Sequence, residues 1–439
     1  MKYDKFFELA EKAGIKEVEL FVSTSYSLSF SLFHGEVDKY SVEESSAYIA
    51  RGIVNGKATS GSSDVYNKEK AEFLVNELLA NAGVIETDDP AILFKGSEKY
   101  KKVPTFNKDL ANVPVDTKLA KLFELEKKIK ELDERIVEVQ AVEYAESASS
   151  ITLINSYGLK LTQKSNDFQY VGVALAKQGD QVKSGYDYYF GNDYSKFDVD
   201  ELAKKVVEST VEQLGGEPCE SKKYKAVFSQ EVVSSLVRAY IGNANAEEVQ
   251  KNSSLFIGKL GEQIASKKLT IEDTPLAKTI FARWFDDEGV ATYNKPIIKN
   301  GVLQTYLYNL STAAKAGVST TGNGYKSGSK IGIRPGYLKI KPGKKSLDEL
   351  FAAVGNGIYI TSVAGLHAGL NAQSGNFSLQ ANGFLIENGK KTTPVDLITI
   401  GGNLIDVFKD VQIVGGDVKE LIGLSTPSLV IKKIKVSGK

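Results

Sequence analysis

The chain has 439 residues, 42% of them hydrophobic, which is more than one hydrophobic core accommodates and predicts two or three domains. Lys plus Arg equals Asp plus Glu at 55 each, so the composition carries no electrostatic footprint for nucleic acid or for anionic lipid. With 2 His and 1 Cys, and with His34 and His367 in different halves and Cys219 in a Pro/Gly linker, a zinc site built from three His or Cys ligands is hard to assemble.

The opening MKYDKFFELAEKAG reads as a charged amphipathic helix without the apolar stretch of a signal sequence. Nowhere does an apolar run approach the roughly 20 residues that span a bilayer, so the expectation is a cytoplasmic protein that does not engage a membrane. A single cysteine excludes an intrachain disulfide and fits a reducing compartment.

In chain order, Phe6, Leu9, Ala10 and Ala13 share a helix face that stops at Gly14, and Val18, Leu20 and Val22 then alternate as in a half-buried strand. Two or three further strands follow to about Val54, Asn55-Gly56 signals a hairpin, and Ala71, Leu74, Val75, Leu78, Leu79 and Ala82 form a helical stripe behind Asn67 as N-cap. This is a helix-meander-helix module over 1–84. A connecting segment over 85–115 carries Pro90, Pro104 and Pro114 among charges and runs over the surface.

A second module over 116–214 repeats the order: a helix capped by Asp116 with Leu122, Leu125, Ile129 and Leu132 on one face, strands from Ile136 to about Lys177, and a closing helix from about Asp198 to Leu214. SLFHGEVDKYS (Ser31 to Ser41) resembles TLINSYGLKLT (Thr152 to Thr162), and KATSG (Lys57 to Gly61) resembles QVKSG (Gln181 to Gly185), which reads as an internal duplication.

GGEPCESKK, residues 215–223, is a linker. The last domain, 224–439, opens with a strand to about Phe228 and a helix capped by Ser229, whose Val233, Leu236, Val237, Tyr240 and Ile241 fall on one stripe. Beyond about Lys268, glycines and the pairs Asn300-Gly301 and Asn388-Gly389 punctuate short strand-like runs. The fold class expected is therefore α+β: two helix-meander-helix modules in the N-terminal half, then a curled mixed or antiparallel sheet or partial barrel with short helices.

The ordered blocks EEVQKNSSLFIGKLGEQIAS (Glu247 to Ser266), WFDDEGVAT (Trp284 to Thr292), NGVLQTYLYNLSTAAKAGVSTTGNG (Asn300 to Gly324), SGNFSLQANGFLIENGK (Ser374 to Lys390), ITIGGNLIDVFKDVQIVGGD (Ile398 to Asp417) and TPSLVI (Thr426 to Ile431) resemble the TldD/PmbA family, once labelled modulators of DNA gyrase. The resemblance is dense in the last domain and looser in the N-terminal half. It implies a peptide-processing complex in which the TldD branch is a zinc metallopeptidase, with an HExxxH helix motif and a Cys ligand near the C-terminus.

Laid on this chain, that motif falls on RAYIGN, with Arg238 at the first His, Ala239 at the Glu and Asn243 at the second His. Zinc hydrolysis needs neutral imidazoles on the metal and a carboxylate for the attacking water, and none of these residues supplies either. A unit charge about 4 Å from a divalent ion at an effective dielectric near 20 opposes binding by roughly 8 kcal/mol, so Arg238 repels a metal there. The stretch LIGLSTPSLVI has no Cys, which aligns the chain with the PmbA branch, also called TldE, resembling a non-catalytic partner of TldD. Ideal helix geometry sets positions five apart about 140° around the axis, so the motif needs a break, for which Gly242 is placed.

Other residues enter as site candidates against plainer roles. His367, in AGLHAGLNAQSG, is the histidine best placed for a site, weighed against local packing because a lone imidazole lacks partner ligands. Asp286, Asp287 and Glu288 suit a hard cation or an acid pair, weighed against a solvated turn whose carboxylates cap backbone N–H groups before Gly289. Asn323, in the turn-like TGNG, is placed beside a substrate groove, and this run lacks the Lys-Ser/Thr of a phosphate loop.

The leading expectation is a cofactor-free subunit that pairs with a zinc-bearing TldD-like metallopeptidase acting on unfolded peptides, and that forms a homodimer when isolated. A self-sufficient hydrolase using Ser or the 286 to 288 carboxylates is the alternative, although no GxSxG elbow occurs. A nucleic-acid-associated regulator comes third, disfavoured by the balanced charge.

Overall fold

The computed structural model describes residues 3–84, 89–328 and 330–439, so four residues of the expected 85–115 connection, 85–88, lie outside the described residues. Strands β1 (Val18–Phe33), β2 (Glu36–Val54), β3 (Lys57–Ser63), β4 (Ile136–Asn155), β5 (Lys160–Gln178) and β6 (Gln181–Gly191) build one antiparallel sheet in the order β3-β2-β1-β4-β5-β6. Five of its six members run 11 to 20 residues and β3 has 7, so one further strand, β2, reaches Val54 where two or three are expected. Hairpin turns at His34-Gly35 (φ 54° and 77°) and Asn55-Gly56 (φ 52° and 77°) set the register of the first module with the left-handed backbone that tight two-residue turns require.

The two modules share this sheet. β1 and β4 meet at its centre, from Glu19 opposite Asn155 to Leu32 opposite Val142, so the strand order is unchanged when the modules are exchanged. Helices α1 (Asp4–Lys12) and α2 (Lys68–Ala82) cover the first module, and α3 (Val115–Glu131) and α4 (Val199–Val211) cover the second, each pair with its own apolar core. The glycines of the matched segments KATSG and QVKSG have the same task. A Cβ on Gly61 would lie 2.6 Å from Cβ of Glu77 on α2, and one on Gly185 would lie 2.6 Å from Cα of Thr210 on α4, so each lets its helix rest on an edge strand.

Two local expectations need correction. Val18 to Val22 are buried on both faces, not one: Val18, Leu20 and Val22 pack under α1 and α2, while Phe21 joins Ile49, Leu153, Leu161, Trp284 and Phe285 on the opposite face. The last domain covers the side that a half-buried strand would leave to water. Asn67 caps α2 as expected, accepting from the Lys70 N–H at 2.8 Å, but Asp116 is not a cap. Helix α3 begins at Val115, two residues earlier than a cap at Asp116 would set it, behind the extended Pro114, and Asp116 sits in its first turn, where its charge favours the helix dipole.

In the last domain, β7 (Lys222–Phe228) lies between Gly357–Ala364 and Leu429–Ser437, and Asn376–Glu387 and Lys390–Asn403 extend the sheet until the last pairs back onto Leu429–Ser437. The sheet thereby closes into a barrel of five strands. A second, curled sheet includes β8 (Ile271–Asp273) and β9 (Lys295–Lys299). Helix α5 (Gln230–Gly242) runs between the two, and its Val233, Leu236, Val237, Tyr240 and Ile241 are buried in the core they share. Burial of side chains of this size is worth about 1.5–3 kcal/mol each, which holds α5 rigidly against both sheets. Among the described residues no helix is long and apolar enough to cross a membrane.

Candidate functional site

Helix α5 starts where Ser229 accepts from the Val232 N–H at 3.3 Å and ends at Gly242. This places Arg238, Ala239 and Asn243, the positions on which the resemblance lays the motif, in different surroundings. Asn243 is buried and occupied: its amide donates to the Ala239 carbonyl at 3.1 Å and its carbonyl oxygen accepts from the Leu255 N–H at 2.8 Å. Ala239 packs against the core. Arg238 alone faces outward, into a cavity of about 600 Å³ between the N-terminal sheet and the last domain. Its guanidinium donates to the Ile422 carbonyl, and its Nε lies 3.4 Å from the Ser234 hydroxyl.

The cavity is walled by Ile151, Gln163 and Ser165 of the N-terminal sheet and by segments around 280–286, 322–325, 333–338 and 422–423. Gln163 ties the halves together, donating to the Ala282 carbonyl at 2.6 Å and accepting from the Trp284 N–H at 3.3 Å. Asn323 is on the cavity wall. Its amide donates to Asp273 at 2.8 Å and to the Arg334 carbonyl at 3.0 Å, while its own carbonyl oxygen is buried without a partner among the described residues.

The turn Asp286 to Glu288 does cap backbone N–H groups, but it is buried and not solvated, because the N-terminal sheet closes over it. Oδ1 of Asp286 accepts from the N–H groups of Glu288 at 3.0 Å and Val290 at 2.9 Å, and Oδ2 accepts from Gly324 at 2.8 Å. Burial lifts its carboxyl to about 6 in spite of these three donors. Glu288 accepts from the Leu310 N–H at 2.8 Å, and burial, followed by the neighbouring Asp286, pushes it up to about 8. Asp287 accepts from Arg283 at 2.6 Å and from the Lys326 N–H at 2.8 Å. Of the three, Asp286 borders the cavity.

Behind this turn lies a buried ion network. Glu19 on β1 accepts from Lys326 at 2.8 Å and from Arg51, its direct neighbour on β2, at 3.3 Å. Burial raises the Glu19 carboxyl, but the two cations outweigh it and hold it below its usual value. His367 is exposed on the short helix Leu366–Gly369 and does not line the cavity. His34 is at the β1–β2 turn, 3.5 Å from Glu138.

Sequence reasoning passed over Arg283 and Arg334, both on the cavity wall beside Arg238. A signal was present: the chain has five arginines (Arg51, Arg135, Arg238, Arg283 and Arg334) among 55 cations, so three on one wall is a concentrated use of a scarce residue. The zinc implied by the resemblance does not fit this site. Arg238, where the resemblance lays the first ligand, carries a guanidinium, and among the described residues no group of three or more His, Cys, Asp or Glu is placed to hold a metal.

Family models match along most of the chain: PmbA/TldA metallopeptidase domain 1 over residues 18–82, the central domain over 108–214 and the C-terminal domain over 221–438. A "Metalloprotease PmbA homolog" from Haemophilus influenzae is 26% identical over 98% of this chain and 94% of its own length. The crystal structure of a proposed modulator of a DNA gyrase from Thermotoga maritima superposes with a TM-score of 0.92 at 32% identity, covering 99% of both chains. TldE from Thermococcus kodakarensis matches with a TM-score of 0.92 over 100% of both chains, and at 23% identity bears on the fold alone.

Proposed function

Because this chain belongs to the PmbA/TldD metallopeptidase family, we propose that it is the non-catalytic subunit of a TldD/TldE-type complex that processes unfolded peptides in the cytoplasm. Arg238 carries the reading. Helix α5 delivers to the cavity a permanent cation, held by a backbone carbonyl, in place of an imidazole, and Asn243 is spent on the end of its own helix. The chain contributes shape and electrostatics to substrate handling, and hydrolysis belongs to a zinc-bearing TldD-like partner. Extended substrate is held by backbone pairing and by the cavity walls, which is tolerant of sequence.

The test is a peptidase assay on an unstructured peptide with this chain, with a TldD-like counterpart, and with both. Turnover by the mixture well above that of either component supports the subunit role, and equal turnover by the counterpart alone overturns it. In isolation the chain pairs with itself through the last domain, read as a dimer mass by light scattering. Asp286 and Asp287 are poorly suited to a competing hydrolase, since both oxygens of each are taken by fixed donors.

A further inference from the structure

The cavity is cationic in a chain of balanced charge, and the cations are of one kind. Arg238, Arg283 and Arg334 line it, no lysine does among the described residues, and the chain has only five arginines among 55 cations. Lysine would serve if charge alone mattered. Arginine differs in presenting a planar, always-charged fork that matches a carboxylate with two parallel hydrogen bonds.

The pairing state of these side chains is the second observation. Arg283 is neutralised by Asp287 at 2.6 Å. Arg238 has only neutral partners, Ile422 and Ser234. The Arg334 guanidinium carbon sits over the Tyr325 ring, 3.4 Å from its centre, a contact that does not neutralise it. Among the described residues neither Arg238 nor Arg334 makes an ion pair. Asp286, the carboxylate on the wall, is locked by its three backbone donors. Two unneutralised guanidinium groups thus share a concave space whose other walls include Ile151, Ile241, Phe281 and Leu338. A volume of about 600 Å³ is in the range of small-ligand sites.

We propose that this cavity is a carboxylate-binding site for an extended peptide, with Arg238 and Arg334 receiving the carboxylate and the apolar wall receiving the adjoining residue. The proposal rests on the peptide-processing role and names the chemical class that the subunit selects. The carboxylate comes from a peptide C-terminus or from an Asp or Glu side chain, and both present the same group to the fork.

Binding of three dansyl-labelled neutral peptides to the full chain, followed by anisotropy, tests this: one with a free C-terminus, one amidated, and one amidated with a single internal Glu. The free-C-terminus or internal-Glu peptide, whichever is the natural source, is expected to bind about tenfold more tightly than the neutral amide. Arg238→Gln and Arg334→Gln should each remove most of that preference with melting temperatures close to the parent's. Arg334→Lys, which keeps the charge and loses the fork, should remove it as well. Equal binding of all three peptides, undiminished preference in folded variants, or tighter binding of a short oligonucleotide would overturn the proposal. Assembly with the TldD-like partner is read separately by gel filtration. Variants that assemble normally while the parent shows no carboxylate preference sink the site and spare the subunit role; intact preference without assembly does the reverse.

Discussion

Glu19 and Lys326, 307 positions apart, meet at 2.8 Å with side chains 1% and 2% exposed, and this pair joins the first strand of the N-terminal sheet to the last domain. The Lys326 ammonium also lies 4.3 Å from the Phe21 ring centre, so both halves of the molecule enclose it. Removing one partner leaves a buried charge short of its counterion. Lys326→Met leaves Glu19 with Arg51 as its remaining counterion and should cost about 3–5 kcal/mol in urea unfolding, while Glu19→Leu strands both Lys326 and Arg51 and should cost at least as much. A loss below about 1 kcal/mol for Lys326→Met would show the pair to be solvated.

The pH response has two windows of opposite sign. Glu19 is held below its usual value, so its contribution is present above the ordinary glutamate range and is lost on acidification. Glu288 is pushed up to about 8, so the folded state holds its proton more tightly than the unfolded chain does, and stability falls as pH rises from about 4.5 through 8. Glu288→Gln keeps an acceptor for the Leu310 N–H and removes the ionisation. Its melting temperature should gain on the parent's steadily between pH 5 and about 8.5, by an amount corresponding to a few kcal/mol. A constant difference across that range would refute the raised carboxyl.

Gly61 and Gly185, which each let a helix rest on an edge strand, predict unequal penalties. A Cβ on Gly185 would lie 2.6 Å from Cα and 2.8 Å from the backbone nitrogen of Thr210, whereas on Gly61 it would lie 2.6 Å from Cβ of the Glu77 side chain and 3.6 Å from the nearest backbone oxygen. Backbone yields less readily than a side chain. Gly185→Ala should destabilise by about 2–3 kcal/mol and Gly61→Ala by less, as ranked by denaturant midpoints.

Restoring the lost motif should not restore a metal site. The triple change Arg238→His, Ala239→Glu, Asn243→His supplies two imidazoles but no C-terminal Cys, and position 243 is buried at the end of α5, with Leu255 beside it. Less than stoichiometric zinc by elemental analysis, with no peptidase activity, is the expected result. Full zinc occupancy with turnover would show that the architecture still supports coordination.

Much of this was legible from local patterns. The Asn67 and Ser229 caps, the Asn55-Gly56, Asn300-Gly301 and Asn388-Gly389 turns and the stripe of α5 stand where short-range spacing puts them, because each depends on residues within one or two turns of chain. The repeated order of elements was legible as well, and the pairing of β1 with β4 explains why it matters. The turn of Asp286 to Glu288 was harder. Acidic residues before a glycine have the composition of an exposed turn, and only the apposition of Trp284 and Phe285 against Phe21 and Leu153 removes it from water.

The sequence by itself determined the family, the absence of ligands at Arg238, Ala239 and Asn243, and the scarcity of arginine, since each follows from residue identity. Tertiary structure alone decided that two modules form one sheet, that Glu19 meets Lys326, and that three arginines surround one cavity. Those outcomes depend on contacts between distant segments, where burial and the loss of water, rather than local conformational preference, set the energy.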